Sequence, residues 1–200
     1  MFNLHQSPGQ VNLVVREHWR AVSKTRTFLV VVILALAAVG VVSMFWKSKT
    51  KDTAIDERVF RLTLPGQWTR QPSSDATRWT YRSDTGRDQV TVSLLSFTHR
   101  MSADEQLATL KRVTELRRRA ETDTPGVSGV TMTDTTFAES GGVHAARYGG
   151  IESGSHRRFS CLLLCSPSAV TIFYYEAIGL TDQESDARAR AIFNSVGVSG

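Results

Sequence analysis

The stretch FSCLLLCSPSAVTIFYYEAI, residues 159–178, decides the fold. Its first half, Phe159 to Cys165, is apolar on both faces of an extended strand, and so is Ala169 to Ile178. Strands of that kind belong in the centre of a sheet, covered on both sides. The link between them, Ser166-Pro167-Ser168, is too short for a crossover, so the two strands pair antiparallel.

Working outward, Thr181-Asp182-Gln183-Glu184 has the spacing of a capping box, in which Thr181 and Glu184 satisfy each other's unpaired backbone donors. It opens a C-terminal helix through Ala187, Ala191, Ile192 and Val196, ended by Gly197. Upstream, Val130–Ala138 and Val143–Ile151 read as partner strands around the turn Gly141-Gly142. Ser102-Ala103-Asp104-Glu105 is another capping box. The helix behind it carries Leu107, Leu110, Val113, Leu116 and Ala120 as an apolar stripe facing the sheet, and stops at Pro125-Gly126. Before it come Phe60–Leu64, Arg78–Arg82 and Val90–Phe97. Pro65-Gly66 and Ser83-Asp84-Thr85-Gly86 mark turns, and 71–77 reads as loop. The order predicts an α+β fold, a mostly antiparallel sheet of about six or seven strands with two packed helices.

The remaining N-terminal quarter differs in kind. FLVVVILALAAVGVVSMFW, residues 28–46, is nineteen residues without a charge. As a helix it is about 28 Å long, close to the ~30 Å hydrocarbon core of a bilayer. Phe45 and Trp46 suit the interface, and no small-residue cleavage site follows. We therefore expect a transmembrane helix over 28–46, an N-terminal tail over 1–27, a linker over 47–58 and the folded domain over 59–200. In the tail, Val11, Val15, Trp19 and Val22 recur at helical spacing, which fits either an amphipathic helix on the headgroups or a continuation of the anchor. Arg16, Arg20, Lys24 and Arg26 precede the segment and Lys47, Lys49, Lys51, Arg58 and Arg61 follow it, so charge does not orient it. A long domain translocates largely regardless of charge, and the expectation is an extracytoplasmic domain.

The net charge of +5 belongs mostly to the flanks. Residues 1–58 hold eight Lys/Arg against four Asp/Glu, and 59–200 hold sixteen against fifteen. A domain at +1 has no basic surplus for nucleic acid. None of the five histidines has metal-ligand spacing, and nucleophile-elbow and phosphate-loop patterns are absent. Neither an enzyme nor a bound cofactor or metal is expected. Cys161 and Cys165, four apart on one strand, have Cα atoms about 13 Å apart, beyond the ~7 Å limit for a disulfide. They read as small core residues, and free thiols suit a reducing compartment, against the expected topology.

Two surfaces remain. Lys111, Arg112, Arg117, Arg118 and Arg119 make the first helix basic; Lys111, Arg112, Arg118 and Arg119 are candidates for a face toward an acidic partner or anionic lipid. The plainer reading is a solvated face with Glu115 paired to Arg119. Trp68, Trp79 and Tyr81 are candidates for lining a ligand groove, against the plainer reading as core or rim.

The element order, together with Leu64-Pro65-Gly66-Gln67-Trp68 after a first strand, Phe173-Tyr174-Tyr175-Glu176-Ala177 near the end and Ala191-Ile192-Phe193-Asn194-Ser195 in the last helix, resembles the superfamily of PsbP-like and DcrB-like proteins over residues 59–197. That resemblance implies an accessory or interaction module, as in photosystem subunits, bacterial envelope proteins and a nuclear-transport factor. It transfers no catalytic residues. The expected function is a single-pass membrane-anchored module that holds a protein partner, with small-molecule or lipid binding in a groove as the alternative.

Overall fold

The computed structural model describes residues 51–124, 126 and 129–198. The tail, the expected anchor over 28–46 and the start of the expected linker lie outside them. Among the described residues no helix is long and apolar enough to cross a membrane.

The two strands that decide the fold lie in the middle of the larger sheet. In chain order the elements are β1 Thr53–Glu57, β2 Phe60–Leu64, β3 Trp68–Gln71, β4 Arg78–Ser83, β5 Asp88–Ser96, α1 Ala103–Asp123, β6 Val130–Met132, β7 Thr136–Ser140, β8 Val143–Glu152, β9 Arg157–Cys165, β10 Ala169–Ile178, α2 Asp182–Asn194 and β11 Gly197–Val198. The larger sheet runs β3-β4-β5-β10-β9-β8-β6, with β7 also on β8, and every pairing in it is antiparallel. Val170 stands opposite Cys165, and Ile172 opposite Leu163.

Several expectations need correction. Phe60–Leu64 is not in that sheet: β2 pairs with β1 and β11 in a separate three-stranded sheet. Residues 53–57, expected as linker, form β1; with Ile55 its one large apolar residue, TAIDE carries almost no apolar alternation in sequence, although its burial alternates along the strand. The Val130–Ala138 strand is two. β6 pairs with Gly150–Glu152 and β7 with Val143–Arg147, and between them the Thr133 hydroxyl accepts from the Gly149 N–H at 2.8 Å.

Both capping boxes form. Ser102 N–H donates to Glu105 at 2.7 Å and Thr181 N–H to Glu184 at 3.1 Å, with each hydroxyl accepting in return. The face that α1 buries takes in only part of the expected apolar stripe, with Leu110 buried and Leu107 and Val113 half-buried. Its buried residues are Gln106, Leu110, Thr114 and Glu121, whereas Leu116 and Ala120 are exposed. Helix α1 packs on β8 and β9, over Tyr148, Phe159, Cys161 and Leu163. At about 3.6 residues per turn Leu107 and Leu116 lie on opposite sides of the helix, so the stripe winds off the sheet, and Glu121 on the buried side is engaged by Arg157. On the opposite face α2 and the small sheet cover Val90, Val92, Phe173 and Tyr175, enclosing Phe60, Leu62 and Leu64. Cys161 and Cys165 share the α1 face with Phe159 and Leu163, all buried and both thiols free.

The chain crosses itself closely at Gly149-Gly150. A Cβ at Gly150 would lie 2.5 Å from the Phe159 ring and 2.9 Å from the Thr131 carbonyl oxygen.

Candidate functional site

One helix is about 10 Å across and strands are spaced about 4.8 Å, so a helix covers about two strands. Since α1 lies on β8 and β9, the described residues leave the same face of the sheet open over β10, β5 and β4. A groove follows. Its floor is set by the strand alternation: Gln89, Thr91, Ser93 and Leu95 of β5 beside Ile172, Tyr174 and Glu176 of β10. Arg78 of β4 forms the far rim, and Val113, Leu116, Arg117 and Glu121 of α1 form the wall. This recess has a volume of about 550 Å³. Past Leu95 and Leu116 it continues into a second, of about 630 Å³, bounded by Leu94, Phe97, Thr109 and Arg112. Leu95 is 43% exposed and Leu116 57%, two of the four large apolar side chains left open among the described residues.

The groove closes on a network centred on Arg157. Its Nε donates to Glu152 at 2.9 Å, Nη2 to Glu121 at 3.3 Å, and Nη1 to the Tyr174 hydroxyl at 2.8 Å and to Glu176 at 3.5 Å. Tyr174 in turn donates to Glu121 at 3.0 Å, Gln89 donates to Glu176 at 3.1 Å, and Arg117 stacks over the Tyr174 ring at 5.3 Å. Hydrogen bonding to Arg157 holds the Glu152 carboxyl below the usual carboxylate range. Burial, reinforced by Glu121, pushes the Tyr174 phenol above its ordinary value. Every guanidinium nitrogen of Arg157 is engaged, four of its five N–H donors in all, so the group ties the end of α1 to β9 and β10. The open chemistry of the groove is therefore apolar at Leu95 and Leu116 and cationic at Arg78 and Arg112. Neither arginine forms an ion pair among the described residues.

The residues suggested by sequence go to different places. Lys111 and Arg112 face solvent, and Arg112 borders the groove. Arg118 instead donates to the Thr133 carbonyl at 2.7 Å and the Thr135 hydroxyl at 3.0 Å, and stacks on Tyr148. Arg119 pairs with Glu115 at 2.9 Å. The basic helix thus splits into a solvated end, a strut and an ion pair. Trp68, Trp79 and Tyr81 pack in the core under the small sheet. Trp68 Nε1 donates to the Pro65 carbonyl at 3.0 Å, the Tyr81 hydroxyl donates to Glu57 at 2.9 Å, and Trp79 meets Phe60 edge-on at 5.3 Å. None of the three lines the groove, because alternation points Trp79 and Tyr81 to the other face of the sheet. Sequence reasoning missed Arg78, Leu95 and Leu116 as groove residues. One signal was available: with Val90, Val92 and Leu94 on one face, Leu95 falls among Gln89, Thr91 and Ser93, an apolar residue on a polar face.

A further recess of about 560 Å³ lies beside α2 over Gly149 and Ile151. Its three arginines, Arg147, Arg158 and Arg190, are balanced by Asp134, Asp182 and Asp186. Arg158 engages Asp182 and Arg147 stacks on Phe193, which leaves little free charge there. Among the described residues no group of His, Cys, Asp and Glu is placed to hold a metal ion.

The chain matches no protein-family model and no curated protein. Its fold is similar to the solution structure of cyanobacterial PsbP (CyanoP) from Synechocystis sp. PCC 6803, with a TM-score of 0.53, 9% identity, and cover of 75% of this chain and 94% of that one. The domain has a PsbP-like fold. More distant are the Saccharomyces cerevisiae Ran-binding protein Mog1p (TM-score 0.46, 8% identity, 75% and 96% covered) and LpqN of Mycobacterium tuberculosis, involved in cell envelope biogenesis (0.45, 15%, 75% and 91%). The fold assignment rests on the first.

Proposed function

We propose that this protein is a single-pass membrane-anchored accessory module, tethered by residues 28–46, whose domain binds a protein partner in the groove beside α1. One observation carries the binding role: Leu95 and Leu116 stand open on the floor and wall of a groove that none of the described residues fills. The ionisable groups at its closed end are committed to one another, which favours a binding role over catalysis. The alternative of a small ligand beside Trp68, Trp79 and Tyr81 loses its groove to core packing. The nineteen-residue apolar run is the support for the anchor, and the length of the domain is the support for an extracytoplasmic side.

A photo-crosslinking side chain at Leu116, compared in intact cells with one at Gln183 on the exposed side of α2, tests the groove. Discrete protein adducts from Leu116 alone are expected; none, or the same set from both positions, would refute the role. Topology needs an engineered cysteine at exposed Ser155, because Cys161 and Cys165 are buried. Labelling by a membrane-impermeant thiol reagent in intact cells is the expected result, and labelling only after lysis places the domain in the cytoplasm.

A further inference from the structure

We infer that the occupant of the groove is an acidic amphipathic α-helix of a partner protein, lying alongside α1 over β10 and β5. This rests on the binding role proposed above and adds the class of partner. The spacing points to a helix. Neighbouring packed helices lie 8–10 Å apart, which is about two strand spacings. A helix placed beside α1 is therefore centred over β10 and β5, where no described residue covers the sheet. The wall from Thr109 to Glu121 is about 18 Å long at 1.5 Å per residue, enough for roughly three turns.

The lining sets the chemistry. Leu95 and Leu116 offer apolar contacts to a stripe spaced i, i+4 and i+7. Arg78 on the strand rim and Arg112 on the helix rim flank that stripe without ion-pair partners among the described residues, while Glu121 and Glu176 are engaged by Arg157. The free charge at the groove is positive, so the complementary helix carries Glu or Asp beside its apolar stripe. An extended strand is disfavoured, since β5 and β10 already pair with each other and with β4 and β9, leaving no open backbone edge on the floor.

The test uses the full chain in discs of zwitterionic lipid. A fluorescein-labelled synthetic helix of about fourteen residues, with leucines at i, i+4, i+7 and i+11 and glutamates on both flanks, is titrated by anisotropy. The same titration is run with the peptide whose glutamates are glutamines. Saturable binding is expected, weakened about tenfold or more by Arg112→Glu, by Leu116→Glu and by neutralising the peptide, and weakened again at high salt. Both substituted residues are exposed, so an unchanged circular dichroism spectrum is expected to accompany the loss. Equal binding of acidic and neutral peptides, or binding unaffected by both substitutions, overturns the inference. So does retention of the protein on anionic vesicles with no peptide binding, which identifies a membrane surface, or a dimer abolished by Leu116→Glu, which identifies a second copy. If the peptide fails while Leu116 still yields discrete crosslinks, only the helical class of partner falls. If both fail, the binding role falls with it.

Discussion

Replacing Arg157 with methionine should be the most damaging single change at the closed end of the groove. Methionine keeps an unbranched stem and removes only the guanidinium. Three carboxylates then lose their common partner: Glu152 at 2.9 Å, Glu121 at 3.3 Å and Glu176 at 3.5 Å. The Glu121 and Glu152 side chains are only 9% and 10% exposed, so water does not replace what is lost. Breaking a buried ion pair by removing one partner costs about 3–5 kcal/mol, and Arg117, 3.6 Å from Glu121, offsets part of it. We expect about 3 kcal/mol, read by urea unfolding in mild detergent with near-ultraviolet circular dichroism. The loss has a pH signature. Arg157 lowers the folded pKa of Glu152. That stabilisation is present above the ordinary carboxylate value of about 4.3 and disappears as pH falls through the lower folded value. The gap between wild type and Arg157→Met should therefore be widest near neutrality and narrow in acid. A gap below about 1 kcal/mol at pH 7, or one that does not shrink on acidification, would refute a buried network at this point.

Three other outcomes follow from packing and burial. Leu110→Ala should cost about 3 kcal/mol, whereas Leu116→Ala should stay within about 0.5 kcal/mol of wild type, because Leu110 is fully buried and Leu116 mostly open; equal losses in urea melts would put Leu116 on the packed face with Leu110. Gly150→Ala should destabilise by about 3 kcal/mol because its Cβ meets the Phe159 ring, while Gly197→Ala, with open space around it, should be nearly silent in the same melts. Burial pushes the Cys161 thiol up to about 12, so at pH 8 thiol labelling followed by mass spectrometry should find it unmodified until denaturant is added, and rapid native labelling would contradict the buried strand.

The parts legible in the sequence are those whose signal is local. Val170, Ile172 and Phe173 with Phe159 to Cys165 show a strand pair apolar on both faces, and it lies in the middle of the larger sheet as expected. Ser102 with Glu105 and Thr181 with Glu184 show two helix starts within four residues each. The face that α1 buries was not legible. Of the stripe Leu107, Leu110, Val113, Leu116 and Ala120 only the first part packs on the sheet, and Glu121 is held inward by an arginine thirty-six residues away. No window of helical periodicity contains that pairing.

The sequence by itself determined the α+β class, the antiparallel centre and the two capped helices, since alternation, short turns and caps act over a few residues. Only the tertiary structure decided that Phe60–Leu64 leaves the main sheet for a separate one with Thr53–Glu57 and Gly197–Val198. It alone decided that Trp68, Trp79 and Tyr81 pack in the core and that Arg118 is a strut to the Thr133–Thr135 bend. It alone opened a groove at Leu95 and Leu116. The physical reason is that each depends on partners far apart in the chain: β2 on β11, Arg118 on Thr133, and the groove on which two strands a helix about 10 Å wide covers.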